Sequence, residues 1–421
     1  MADLLNVDDT LNRILQQIHP LSTEETPIAE ALGRVLAQDI VAPIDLPPFA
    51  NSSMDGYAVR AEDVTGAGHG QPVRLAVKFD IRAGDMPIGA VGPHEAARIM
   101  TGAPLPEGAD AVVPVEQTDD QWRSDGHARL PETVAIYRHA RRGDNVRPSG
   151  EDIRAGETVL QAGTALRPQD IGVLVSLGQG RVPVVRQPRV VILATGDELV
   201  DVGEPLGPGQ IRNSNSYVLA GLVAENGGIP IRLPTARDSL DDVRRCFRAA
   251  LDQQPDLIIS SAGVSVGTHD VVRDVVQELG EVMMWRVNLR PGKPLAFGQV
   301  GGVPFFGLPG NPVSAMVTFD VFVRPALAVL SGRQDHAAPL VHALTGEPIR
   351  SDGRRSYLRV RLSDENGQLI ARLTGTQSSG ALLSMVQADG LLIVPEGVTD
   401  VPAGTRLSVR LLRPVNRPGS R

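Results

Sequence analysis

The sequence predicts a multidomain α/β plus β protein, on three observations. Its 421 residues exceed what one hydrophobic core organises, so the chain divides into several domains. Between about 188 and 335, continuous apolar strand segments alternate with amphipathic helical ones, the pattern of a central open α/β sheet domain. On either side, at about 50–150 and 340–412, short strand-like runs separated by Gly/Pro turns read as a β-rich insert and a C-terminal β domain.

At the N-terminus, Leu11, Ile14, Leu15 and Ile18 recur at helical spacing, with Asp8, Asp9 and Thr10 as candidate caps. A second helix is expected from Thr26-Pro27, with Pro at the first helical position and Ile28, Leu32, Val35 and Leu36 as its apolar face. In the insert, residues 73–77 and 111–115 read as strands. Residues 156–186 give a strand, a helix opening at Pro168 and another strand. In the central segment, 190–194, 257–259 and 304–308 are buried strands, while 215–225, 239–252, 271–279 and a run from Pro312 are helices. In the last segment, the alternation over 357–362, the Asn366-Gly367 hairpin signal and the Ala403-Gly404 turn fit a small barrel or sandwich. The expected division is residues 1–47 together with 156–187, then 48–155, 188–336 and 337–421.

The formal net charge of -8 argues against broad nucleic-acid binding, so any anionic ligand needs a local basic cluster. The single cysteine, Cys246, excludes an internal disulfide and a CxxC metal site, and its setting is that of a packed helical residue. No secretory leader is visible, and no apolar run approaches the ~18 residues of a membrane-spanning helix, so a cytoplasmic location is expected.

Three loops follow the three apolar strands of the central segment: 195–198, 260–270 and 308–314. In an open α/β sheet, ligands sit beyond the carboxyl ends of the strands. The second loop is rich in Gly and Ser and opens a helix. The third sets Asn311 as a cap with Pro312 behind it, so both are anion-ready helix starts. No Walker A, HExxH or dinucleotide fingerprint occurs. In the basic run 285–293, a strand sets Arg286, Asn288 and Arg290 facing one way and Lys293 follows a Pro-Gly turn, an oxyanion or phosphate clamp in an acidic protein, with a solvated edge face as the alternative. Asp197, Glu198, Asp238 and Asp270 are hard oxygen donors suited to Mg²⁺ at a phosphate; for Asp238 and Asp270, helix capping is the alternative.

Seven motifs in order carry a family resemblance: Ser53-Met54-Asp55-Gly56-Tyr57-Ala58, Met100-Thr101-Gly102-Ala103, Gly150-Glu151-Asp152-Ile153, Thr195-Gly196-Asp197-Glu198-Leu199, Gly263-Val264-Ser265-Val266-Gly267, Arg290-Pro291-Gly292-Lys293-Pro294 and Gly307-Leu308-Pro309-Gly310-Asn311-Pro312-Val313-Ser314. The chain resembles bacterial MoeA and the gephyrin E domain, the molybdopterin molybdenumtransferases, over almost its whole length. The resemblance implies an elongated MoeA-like subunit ending in a small β-barrel. It also implies a homodimer, with a cleft between the α/β domain of one subunit and the insert of the other. The implied reaction joins molybdate and adenylylated molybdopterin to give molybdenum cofactor and AMP, with Mg²⁺. A molybdopterin adenylyltransferase is the implied pathway partner.

Carried over position by position, the resemblance implies catalytic roles for Asp55, Thr101, Asp152, Glu198, Asp238, Asp270, Arg290 and Lys293. It implies substrate or cofactor contacts from Thr195, Gly196, Gly263, Ser265, Gly267, Arg286, Pro309, Gly310, Asn311, Pro312 and Ser314. Glu198 and Asp270 would hold the metal. Departures from the family pattern are Ala262 for the usual Gly, Thr268 where Glu is common, Arg286 and Arg290 where the family has lysines, and Ser378-Ser379-Gly380 in place of Gly-Ser-His; Arg354 and Arg359 resemble the basic pair of the last domain. A gephyrin-like scaffold that binds a partner protein is the second reading. An adenylyltransferase, which resembles residues 188–335 alone, is the third.

Overall fold

A computed structural model describes residues 4–120, 129–261, 271–334 and 338–413. The chain forms two compact units: one of residues 38–162 and 168–180, the other of residues 1–37, 163–167 and 181–421.

The smaller unit is built on a five-stranded sheet in the order Ala111–Pro114, Gly56–Val59, Glu95–Ile99, Val73–Ile81, Thr133–Ile136. Strand Gly56–Val59 is interior to the sheet and wholly buried, which its Gly-Tyr-Ala-Val sequence permits. Gly56 is obligatory there, because a Cβ would lie 2.0 Å from the Val113 carbonyl oxygen. Tyr57, Val59, Leu75, Val113 and Val134 form the core on one face, and Ala58, Ile81, Ala97, Ile99 and Val112 on the other, the period-2 alternation of a strand packed on both sides. A small separate cluster of Ala42, Ile153 and Leu177 lies against helix Pro168–Ser176, which opens at the expected proline.

The larger unit holds the α/β sheet. Strands Ile229–Arg232, Arg189–Ala194, Leu257–Ser261 and Val303–Leu308 run parallel in that order, and the hairpin Pro294–Val300/Gly280–Arg286 adds two antiparallel strands at one edge. Val190, Ile192, Leu257, Ile259, Phe306 and Leu308 meet helices Ser214–Glu225 and Pro312–Thr318 on one face. Val191, Leu193, Ile258 and Phe305 meet Leu240–Asp252 and Val271–Leu279 on the other. Both faces are covered, so the strands read as unbroken apolar runs.

The C-terminal segment is a closed five-stranded barrel. Strands Arg355–Glu365, Gln368–Leu373, Leu340–Thr345, Arg406–Leu411 and Gly390–Val394 pair in sequence, and the last returns to the first. Asn366 and Gly367 turn the first hairpin with φ of 55° and 79°, the left-handed pair that a two-residue hairpin demands. Strand Leu289–Arg290 pairs in parallel with Arg355–Ser356, so a piece of the α/β segment is stitched into the barrel sheet.

Four local expectations are corrected. The first helix, Val7–Leu15, is capped by Asn6, whose side chain accepts from the Asp8 and Asp9 amides at 2.8 and 3.2 Å. No α-helix follows Thr26: Thr23–Pro27 is a strand paired with Arg181–Val185, only a single 3-10 turn, Ile28–Glu30, comes after it, Gly33 turns the chain at φ 75°, and Leu32 is 61% exposed. Sheet pairing with a distant segment there outcompetes the helical spacing. The Arg286/Asn288/Arg290 ladder is broken, because Gly280–Arg286 belongs to the α/β sheet and Leu289–Arg290 to the barrel sheet. Finally, one helix, Pro312–Leu330, is by length and composition apolar enough to cross a membrane, but 78% of that stretch is buried within this fold. It is the core helix, and its Asp320 and Arg324 pair with each other at 3.0 Å.

Candidate functional site

The strand-end loops and the barrel converge on a cleft of about 680 Å³. Arg290, Pro291, Gly292, Lys293, Pro294, Pro309, Gly310, Asn311 and Ser314 come from the α/β segment; Arg354, Gln377, Ser378 and Ser379 come from the barrel. Its lining holds three cations and no carboxylate.

Each element of the cleft has a local cause. Arg290 is held by the two-residue strand on the barrel, and the Leu289 carbonyl accepts from Arg354 Nη1 at 3.2 Å. Gly292, at φ 115°, packs so closely that a Cβ would lie 2.5 Å from Thr318 Oγ1. Lys293 is exposed and makes no ion pair among the described residues. Asn311 occupies the N-cap position of Pro312–Thr318 with extended backbone, yet its side chain makes no capping bond and is exposed. The Val313 amide, one of that helix's free donors, is taken by the Ser379 carbonyl at 3.0 Å. The helix start is therefore partly satisfied by the barrel, which weakens the expectation of an open anion cradle there.

Behind the cleft stands Arg359, 1% exposed. Its guanidinium donates to Ser384 Oγ at 3.1 Å and to the Ser378 carbonyl at 3.0 Å, while its amide donates to Gln377 Oε1 at 2.9 Å. It thereby shapes the loop that supplies Gln377–Ser379. Burial, and then the charge of Arg290, push its pKa down to about 10. It stays protonated at neutral pH and adds positive potential to the cleft.

A second, smaller pocket adjoins through Gly310 and is lined by Thr195, Glu198, Asn213, Ser214, Asn215, Ser261 and Pro312 among others. Gly196 takes φ 148°, and the Glu198 carboxylate folds over it: a Cβ at Gly196 would lie 2.5 Å from Glu198 Oε2. Ser261 Oγ, buried at the end of its strand, has no hydrogen-bond partner among the described residues. A third pocket of about 670 Å³ gathers Gly196, Asp197, Asp238 and Asp242. The Asp238 amide donates to Asp197 Oδ1 at 3.3 Å, and Ser239 caps the next helix by accepting from the Asp242 amide. The capping alternative for Asp238 is thus excluded, and its carboxylate is exposed.

In the smaller unit, pairing of Gly56 with Ile99 sets Asp55 beside the next turn. Asp55 Oδ1 accepts from the Thr101 amide at 2.8 Å and from Thr101 Oγ1 at 2.7 Å, which fixes the carboxylate over the Thr101-Gly102 turn. Asp152 is exposed and its amide donates to the Leu46 carbonyl.

The expected site residues therefore fall into groups. Arg290, Lys293, Pro309, Gly310, Asn311 and Ser314 share the basic cleft; Thr195, Glu198 and Pro312 share the adjoining pocket; Gly196 and Asp238 line the third. Asp55, Thr101 and Asp152 belong to the other unit. Arg286 lines none of these pockets. Gly263, Ser265, Gly267 and Asp270, with the departures at Ala262 and Thr268, lie outside the described residues. Not anticipated were Asn213 and Asn215, which come from a helix start, and Asp352, which lies in an Asp-Gly turn.

Comparison with known proteins agrees along most of the chain. Residues 5–178 match the MoeA N-terminal region (domain I and II), residues 191–329 a probable molybdopterin binding domain, and residues 342–412 the MoeA C-terminal region (domain IV). Molybdopterin molybdenumtransferase 2 of Mycobacterium tuberculosis is 43% identical, covering 91% of this chain and 93% of that one. The molybdopterin molybdenumtransferase of Haemophilus influenzae is 36% identical over 96% of this chain and 98% of its own. The crystal structure of a molybdopterin biosynthesis MoeA protein from Pyrococcus horikosii superposes with a TM-score of 0.82 at 34% identity, covering 98% of this chain and 100% of that one. With relatives this similar over nearly their full length, the chain belongs to the molybdopterin molybdenumtransferase family, transferases of molybdenum cofactor biosynthesis.

Proposed function

We propose that this protein transfers molybdenum from molybdate to adenylylated molybdopterin and releases AMP and molybdenum cofactor. The observation that carries the reading is the cleft lined by Arg290, Lys293 and Arg354 without a carboxylate, in a chain of net charge -8. Such a cleft suits molybdate and the phosphates of the nucleotide-linked pterin. In the reaction, an oxygen of water or molybdate forms a bond to phosphorus as the bridging P–O bond of the anhydride breaks. AMP leaves with the electron pair, and each pterin dithiolene sulfur then bonds the metal as a Mo–O bond breaks, the displaced oxo groups leaving as water with the protons of the two thiols. Positive charge from Arg290, Lys293 and Arg354 offsets the charge that builds on the phosphoryl oxygens.

Mg²⁺ is the expected cofactor. No group of three His, Cys, Asp or Glu side chains among the described residues is placed to hold a metal. Mg²⁺, however, is commonly held by one or two carboxylates plus substrate phosphates and water, and the exposed Glu198 at a strand end fits that donor set. Asp270, outside the described residues, is the expected second ligand. When bound, the ion neutralises the anhydride.

The reading extends to a cytoplasmic homodimer in which Asp55, Thr101 and Asp152 of one subunit complete the cleft of the other, supplied by a molybdopterin adenylyltransferase. The test is incubation of the purified protein with adenylylated molybdopterin, molybdate and Mg²⁺, following AMP release and activation of a cofactor-free molybdoenzyme. Turnover lost in Glu198→Ala supports the assignment. A folded dimer with no turnover overturns it and brings forward the partner-binding scaffold.

A further inference from the structure

Two of the cleft's three cations share a carboxylate that does not itself line the cleft. Asp352 Oδ2 lies 2.6 Å from Arg354 Nη2, 3.1 Å from Arg354 Nε and 3.5 Å from Arg290 Nη1. Its other oxygen, Oδ1, accepts from the Arg354 amide at 3.2 Å, and Gly353 closes the turn at φ 83°. One carboxylate oxygen thus sits between two guanidinium groups, as an oxygen of a bound oxyanion would. Burial pushes the Asp352 carboxyl up, but hydrogen bonds from the Arg354 side chain and amide, with the charges of Arg354 and Arg290, outweigh it and hold the group below the usual carboxylate range. Lys293, in contrast, has no such partner among the described residues.

We propose that Asp352 is a built-in counter-ion that sets the charge selectivity of the oxyanion cleft. It neutralises part of the Arg290–Arg354 pair, so that a tetrahedral dianion is held mainly by Lys293 and the remaining guanidinium edges. Its repulsion of the ligand grows with the ligand's charge. The cleft therefore holds dianions such as molybdate loosely enough to exchange, instead of trapping any dianion that enters. The proposal rests on the reading of this cleft as an oxyanion site, and it adds a specificity-determining residue to it.

The charge on the ligand supplies the test. Coulomb energy is linear in that charge, so removing one negative charge near the site raises the dianion's binding constant by about the square of the factor for a monoanion of the same shape. Molybdate and perrhenate are both tetrahedral oxyanions and differ in charge. We would titrate each into the full-length protein by calorimetry at fixed ionic strength, for wild type, Asp352→Asn and Asp352→Glu. Asn keeps an acceptor for the Arg354 amide and Glu keeps the charge. Thermal melts confirm that each variant is folded.

The expected result is that Asp352→Asn binds perrhenate about threefold and molybdate about tenfold more tightly, while Asp352→Glu stays within about twofold of wild type for both. Equal changes for the two anions, or weaker molybdate binding in Asp352→Asn, overturn the proposal; weaker binding means that Asp352 serves to orient the arginines. If neither wild type nor Asp352→Asn binds either anion, the reading of the cleft fails with it. Wild-type binding left unchanged by Asp352→Asn removes the counter-ion role alone.

Discussion

Gly292 is the point where cleft geometry and core packing meet, and Gly292→Ala is the perturbation that tests this. Two costs follow from the structure. At φ 115° the backbone lies where an L side chain is strained, a cost of about 1–3 kcal/mol. The new Cβ would also lie 2.5 Å from Thr318 Oγ1 and 3.3 Å from Leu289 Cδ2, an overpacking worth about 1–3 kcal/mol more. The loop cannot simply swing away, because the Arg290 strand is tied to the barrel on one side and the Val287 amide donates to the Lys293 carbonyl at 2.8 Å on the other. Thr318 offers a control. Its Oγ1 is buried without a hydrogen-bond partner among the described residues, so Thr318→Ala removes an unsatisfied group along with a methyl, at small net cost.

The double variant Gly292→Ala/Thr318→Ala should therefore recover the steric part and leave the backbone part. Equilibrium urea unfolding of all four proteins gives the coupling energy, expected at about 1–3 kcal/mol in the rescuing direction. Molybdate titration of the same proteins should show the single Gly292→Ala variant weakest. A coupling below about 0.5 kcal/mol would refute the contact as the reason for glycine at this position.

Three further outcomes follow from other parts of the structure. Gly56→Ala would set a Cβ 2.0 Å from the Val113 carbonyl of the neighbouring strand, so the smaller unit should lose at least about 3 kcal/mol, read as early loss of its protected amides in hydrogen exchange. If the proposed dimer shares its clefts, Asp55→Ala and Glu198→Ala proteins, each inactive, should regain about a quarter of wild-type turnover when unfolded and refolded together, since half the dimers are hybrids with one intact site; no recovery despite mixed dimers excludes a shared cleft. Asp8 accepts from both Arg355 Nη atoms at 2.6 and 2.7 Å, and that bond, against some burial, holds its carboxyl below the usual range. A depressed pKa in the folded state gives stability present above the unfolded value and lost as pH falls through the folded one. Asp8→Asn should therefore lower urea stability by about 1 kcal/mol or less at pH 7, with the gap closing below about pH 4.

Much of the α/β sheet was legible because its strands are buried on both faces and its helices follow them closely in sequence. The Val271–Leu279 helix and the Asn366-Gly367 hairpin are set by local chemistry and stand where the sequence puts them. The misread segments are those decided by distant partners. Thr23–Pro27 is a strand only because Arg181–Val185 lies beside it, and nothing near it in the chain says so. The basic run up to Arg290 reads as one strand locally, yet Leu289–Arg290 is claimed by the barrel at Arg355–Ser356.

The same division holds for the cleft. Lys293 and Asn311 announce themselves by the turns around them, while Arg354 and Ser379 enter only because the barrel folds back onto the Pro312 helix, where the Ser379 carbonyl takes the Val313 amide. Arg359 and Asp352 illustrate opposite limits. The first is a buried cation whose role as a loop support needs its partners at Ser378 and Ser384 to be seen, and the second an ordinary Asp-Gly turn until Arg290 is beside it.

On the proposed function, the oxyanion binds in the cleft between the strand-end loops and the barrel. The most direct test is a crystal soaked in tungstate, located by its anomalous scattering, because tungstate matches molybdate in shape and charge. A strong peak is expected within hydrogen-bonding distance of Lys293 Nζ and of the Arg290 or Arg354 guanidinium, absent in Lys293→Ala crystals. A peak confined to another pocket, or one in the cleft that survives Lys293→Ala undiminished, would contradict it.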